Sequence, residues 1–198
     1  LEQLEHVHLS DNHFGGSIPE SYATSTAFSL DFHGNQLVGP VPAGNWPNLR
    51  IFRASKNKLS SFEEPIDAPE LKRLRMSKNE MTGSLPMLES SPGLEHIEFD
   101  ENGFSGVIPE TWSRLELLEL VDLADNLLTG AVPRSLTNHV ADLETLHLQG
   151  NSFSSISCPA TKPLDWSADC RPVDGAHHRG DRLGVGKCHM GFRGHHAQ

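Results

Sequence analysis

Positive charge is scarce in this 198-residue chain: 16 Lys and Arg face 26 Asp and Glu, for a net charge of −10. Simple nonspecific binding to nucleic acid needs a basic surface, so nucleic acid is excluded as the principal ligand. Apolar runs of membrane-spanning length are missing too, which leaves membrane association only indirect. No G-x-S-x-G elbow, H-E-x-x-H, P-loop or strand-borne G-x-G-x-x-G occurs, and the chain reads as no enzyme. No cofactor is expected. No signal peptide is visible, and the opening "LEQLEHVHL" already lies inside a repeat. The expectation is therefore a fragment or processed product without its N-terminal signal region.

What the chain does have is repetition. Asn12, Asn35, Asn57, Asn79, Asn102, Asn126 and Asn151 recur at intervals of 22 to 25 residues, a solenoid period. The same apolar ladder precedes each, as in Leu71/Leu74/Met76, Leu94/Ile97/Phe99 and Leu118/Val121/Leu123, and another apolar residue follows two positions later. The last two ladder residues alternate across one position, so they share a face of a short strand. Such a strand buries its apolar face only by stacking in parallel on its neighbours. The inward asparagine amide is expected to satisfy turn backbone groups, and its loss to cost about 1–3 kcal/mol.

Five repeats then carry Gly and Pro around an apolar residue, "GGSIP", "GPVP", "GSLP", "GVIP" and "GAVP", whereas the third reads "LSSFEEP" and the seventh "FSSISCP". Those two turns should be shorter or rearranged. Proline there suits a convex stretch whose backbone need not donate to a ladder.

The pattern LxxLxxLxLxxNxLxGxIP resembles the plant-type leucine-rich repeat of receptor-like ectodomains and of secreted inhibitors of cell-wall-degrading enzymes. The resemblance implies an α/β-class solenoid with a parallel strand face, about seven repeats, and recognition of a protein or peptide through that face. Three segments are expected: a solenoid over 1–157, a cap over 158–173, and a Gly/His-rich tail over 174–198. Cys158 and Cys170 flank "PATKPLDWSAD" and are read as a disulfide closing the cap, with Trp166 over the exposed core edge. Such a bridge implies an extracellular or lumenal compartment. The absence of any N-x-S/T sequon runs against most ectodomains of the resembling family.

One strand-face column reads His8, Asp31, Arg53, Arg75, Glu98, Asp122 and His147. With its flanks it gives a basic patch of Arg53, Arg73, Arg75, Lys56 and Lys78 beside an acidic patch of Glu98, Asp100 and Asp122. Two readings stay open: a docking surface for a partner, or lateral compensation in which Asp31 neutralises Arg53 and Glu98 neutralises Arg75. Ser77 is expected to be exposed. His6, His8, Asp31 and His33 carry the donors for a surface zinc site but read as ordinary surface residues; the tail reads as a flexible extension whose histidines and Cys188 match no closed zinc motif, and Arg179–Asp181 reads as a chance tripeptide. Two other functions are carried: a structural subunit of a large assembly anchored by its tail, and a hydrolase inhibitor.

Overall fold

The structure, a computed structural model, describes residues 4–63, 66–134, 136 and 143–157, and as backbone Asp165–Trp166, Arg171–Pro172 and Lys187–His189. Cys158, Cys170, the Arg179–Asp181 tripeptide and the tail histidines other than His189 lie outside the described residues.

Each ladder becomes a three-residue strand: His6–His8, Ser29–Asp31, Ile51–Arg53, Arg73–Arg75, His96–Glu98, Leu120–Asp122 and Thr145–His147. They stack in that order as one parallel sheet, to which Asp165–Trp166 adds an eighth strand. Register is unbroken, Val7 pairing with Leu30, Leu30 with Phe52, Phe52 with Leu74 and Leu74 with Ile97. The ladder residues from Ala27 to Leu148 are buried, while Leu4 and Leu9 pack partly buried at the first repeat. Phe14 departs from the pattern at 47% exposure, although its counterparts Leu37, Leu59, Met81, Phe104, Leu128 and Phe153 are buried.

The asparagines act as staples between repeats. Asn102 Nδ2 donates to Phe99 O and Asp100 O of its own turn and to Met76 O of the preceding repeat, while Oδ1 accepts from Met81 N. Asn35, Asn57, Asn79, Asn126 and Asn151 make the same four-part set. Among the described residues, Asn12 has only its local bonds to Leu9 O and Ser10 O. The residue before each asparagine from Asn12 to Asn151 has positive φ; five are charged (Asp11, Lys56, Lys78, Glu101, Asp125) and two are Gly34 and Gly150. A Cβ on Gly34 or Gly150 would collide with the carboxylate of Asp11 or Asp125. Glycine is needed there for space, since five repeats hold a side chain at the same φ.

The stretch after each asparagine corrects the expectation of a convex segment outside any ladder. Gln36–Val41, Lys58–Phe62, Thr82–Ser84, Gly103–Gly106, Leu127–Ala131 and Ser152–Ser157 are strands, paired in parallel within a second set of sheets. Proline is tolerated because only Pro40 of this class falls inside such a strand. It sits where the register shifts between Gly39 and Val41, a position that asks no donor of it. The third and seventh repeats are the rearranged ones. Phe62 pairs with Val41 although Leu59 pairs with Gly39, and Ser155 pairs with Ala131 although Phe153 pairs with Gly130. Each has a one-residue bulge where the other repeats keep a positive-φ glycine.

The fold class holds, with little helix: the described 3-10 helices are Glu20–Tyr22 and Glu110–Arg114. Each follows a proline of the "IPE" sequence, Pro19 and Pro109, which fixes φ at entry, and each puts a glutamate in its first turn. Trp112, from the second, is fully buried against Phe99 and donates Nε1–H to Pro86 O at 3.1 Å. Lys187–His189 pairs antiparallel with the end of Ser152–Ser157 and with Arg171–Pro172.

Candidate functional site

Six of the seven three-residue strands bury only their middle residue, and Ser29–Asp31 buries Ser29 as well, so the flanking residues face outward in columns about 4.8 Å apart. Pairing registers place His8, Asp31, Arg53, Arg75, Glu98, Asp122 and His147 in one such column. Arg73 belongs to the parallel column with Ile51 and His96. Ser55, Ser77 and Asp100 follow one turn onward, and Lys56 and Lys78 occupy the positive-φ corner. All eight residues assigned to partner binding therefore lie on one face. Arg53, Lys56, Arg75 and Lys78 share a depression of about 280 Å³ with Glu98 and Asp100.

Both expected lateral pairs form. Arg53 Nη1 lies 3.4 Å from Asp31 Oδ2, and Arg75 Nε lies 2.9 Å from Glu98 Oε1. Further pairs join Lys72 to Glu95 at 2.7 Å, Arg73 to Glu95 at 3.8 Å, Lys78 to Glu101 at 2.8 Å and His147 Nδ1 to Asp122 Oδ2 at 2.9 Å. The bond from the Lys72 ammonium holds the Glu95 carboxyl below its ordinary value. Burial pushes Asp100 above its ordinary value, and the neighbouring Asp122 charge adds to that against a bond from the Ser77 hydroxyl. Lys78 is raised by its bond to Glu101.

Ser77 corrects the sequence expectation: at 9% exposure, like Ser55 at 8%, it is a buried floor residue rather than an exposed one. Both line the depression described above. Strand alternation does not reveal this, but the recurrence of "Ser-Lys-Asn" in two adjacent repeats was the available signal. His33 also lines the depression, which the column reading left out. Among the described residues no group of three or more His, Cys, Asp or Glu could hold a metal ion. No helix of the described residues is long and apolar enough to cross a membrane.

The leucine-rich-repeat family model matches residues 3–24, the first turn of a pattern that the parallel register carries on through Asn151. The chain is a plant-type leucine-rich-repeat protein. Arabidopsis thaliana receptor-like protein 14 is 33% identical over 150 residues, which is 73% of this leucine-rich-repeat chain and 15% of the relative. Receptor-like protein 41 of the same organism is 32% identical over 67% of the chain and 16% of the relative. The chain thus spans about one sixth of the length of these relatives. Among solved structures, the Arabidopsis receptor kinase HAESA ectodomain in complex with an N-terminally extended IDA peptide hormone superposes with a TM-score of 0.68. It is 34% identical and covers 76% of this chain and 26% of that one. The plant peptide hormone receptor RGFR1, in complex with RGF2, gives a TM-score of 0.67 at 26% identity, covering 77% of this chain and 25% of that one.

Proposed function

We propose that this solenoid is the extracellular, non-enzymatic recognition segment of a receptor-type protein and captures a peptide or protein on its strand face. One observation carries the reading: outward residues of seven strands hold continuous register, so a rigid ribbon presents charges sorted by sign, basic over the third and fourth repeats and acidic over the fifth and sixth. A preorganised surface spends little entropy on ordering when it binds. The neighbouring structures in complex with peptide hormones support a peptide-sized occupant. Receptors among the relatives favour this reading over a hydrolase inhibitor.

The test is charge reversal on the basic patch. Partners captured from the native source are identified, and association of the purified partner is followed at two ionic strengths for the parent and for the Arg73→Glu/Arg75→Glu variant. The variant should melt with the parent and associate more slowly, with a deficit that shrinks as salt rises. Unchanged association by the folded variant would remove the strand face as the docking surface.

A further inference from the structure

Six of the repeated asparagines are followed by a residue with a side chain: His13, Gln36, Lys58, Glu80, Leu127 and Ser152. Asn102 is followed by Gly103, and this is the one Asn-Gly step in the chain. Such a step is prone to cyclise on itself, because glycine leaves its amide nitrogen unshielded and bends freely toward the preceding side chain. The attacking atom is Gly103 N and the atom attacked is Asn102 Cγ.

In the folded chain both groups are held by the fourth repeat. Gly103 N–H donates to Met81 O at 2.8 Å. Asn102 Nδ2 donates to Met76 O at 3.0 Å, and Oδ1 accepts from Met81 N at 3.1 Å. Nδ2 is shared further with Phe99 O and Asp100 O of its own turn. Cyclisation therefore requires the carboxamide to leave all of these partners and Gly103 N–H to leave Met81 O. The glycine has a packing reason to persist: a Cβ on it would stand 3.1 Å from Met81 O and 3.4 Å from Thr82 Cγ2. In a solenoid each repeat touches only its neighbours, so the seam between the fourth and fifth repeats can open without global unfolding.

We propose that Asn102–Gly103 is a conformation-gated deamidation site: the closed seam blocks the reaction, opening frees both reacting groups at once, and the product keeps the seam from closing again. In the open state Gly103 N loses its proton to solvent and attacks Asn102 Cγ. The N–Cγ bond forms, the Cγ–Nδ2 bond breaks, and Nδ2 leaves as ammonia after taking up a proton. Water then adds to one carbonyl of the cyclic imide and opens it to aspartate or isoaspartate, with no oxidant or reductant involved. The product carboxylate has lost both amide protons, yet it must face Met76 O, Phe99 O and Asp100 O, three acceptors that now lack a donor. Asp100 and Glu101 beside it add like charge. The isoaspartate form also lengthens the backbone and so breaks the pairing of Thr82–Ser84 with Gly103–Gly106.

The test incubates the full chain at neutral pH in urea from below to above its unfolding transition. Peptide mass mapping follows conversion at every asparagine, and hydrogen exchange follows opening at the Gly103 amide. Conversion at Asn102 should be at least roughly tenfold slower in the folded chain than in the unfolded one, and below the transition it should rise in step with Gly103 exchange. Gly103→Ala should slow the conversion in the unfolded state, where packing has no influence. Asn102→Asp should lower the melting temperature at least as far as Asn102→Ala does, with a deficit that shrinks as pH falls and the carboxyl becomes a neutral donor. Equal rates in the folded and unfolded chains, or conversion that does not follow Gly103 exchange, would overturn the gating. Asn102→Asp melting with the parent would overturn the one-way character of the site.

Discussion

Replacing Asn102 by alanine tests the mechanical core of the solenoid. The side chain lies part-buried and makes four bonds, three donated at 3.0, 3.0 and 3.1 Å and one accepted from Met81 N at 3.1 Å. Its two amide protons divide among three carbonyls, two of which belong to a turn that water reaches in part. The firm losses are the bond across to Met76 O and the acceptor for Met81 N. With a net worth near 1 kcal/mol per bond and a further penalty for stranding a buried group, the cost is about 2–3 kcal/mol. In a chain of this size that lowers the melting temperature by roughly 4–12 °C. Asn12→Ala is the internal control, because Asn12 is exposed and reaches only its own turn; its loss should cost well under 1 kcal/mol. Melts compare the two, and hydrogen exchange at the Met81 amide reads the site directly, since that proton loses its acceptor in the variant. Equal melting temperatures for the two variants, with Met81 protection unchanged, would refute the staple.

Trp112→Phe should destabilise more than Trp46→Phe in chemical denaturation. Both indoles are buried, but among the described residues only Trp112 Nε1–H has an acceptor, and Trp46 Nε1 has none; equal costs would show that volume alone matters. Gly150→Ala should cost about 1–2 kcal/mol through its positive φ and the clash with Asp125, whereas Gly93→Ala, whose added Cβ meets only ordinary contacts, should not. Asp100→Asn should raise the melting temperature at neutral pH. Burial raises this carboxyl above 3.8 in the folded chain, so between its unfolded and folded values the native state holds more protons and stability falls as pH rises. The gain should fade as pH drops toward 3.8, and a constant gain at all pH values would show that the charge is not its cause.

The repeat, its parallel stacking and its asparagine staples were legible because each rests on local spacing: alternation fixes the buried face, and a 22- to 25-residue period fixes the neighbour. The second set of sheets was not. Its strands, such as "Gln-Leu-Val-Gly-Pro" and "Thr-Gly-Ser", are interrupted by Gly and Pro, which are depleted in strands, and their pairing follows from the spacing that the first sheet sets. The site was half legible. Column order gave Arg53 beside Asp31 and Arg75 beside Glu98, yet strand alternation does not reveal the burial of Ser55 and Ser77, whose one signal was the repeated Ser-Lys-Asn. The Ser-Ser turns of the third and seventh repeats did signal rearrangement, and the absent glycine is its physical cause.

The order of signs across four strands, Asp31, Arg53, Arg75, Glu98, decides how stability and binding share these residues. Two unit charges about 5 Å apart in water interact by about 0.8 kcal/mol, and an exposed ion pair is worth about 0–1 kcal/mol. Repulsion between Arg53 and Arg75 therefore offsets much of what their pairs with Asp31 and Glu98 contribute. The free chain gains little from this row, so stability alone does not account for it. In the proposed docking, a partner carboxylate would add a counter-charge beside Arg53 and Arg75 and so lower their mutual repulsion. Reversal of these charges should consequently register in association kinetics and hardly at all in a melt. A drop in melting temperature without a kinetic change would assign the row to stability instead.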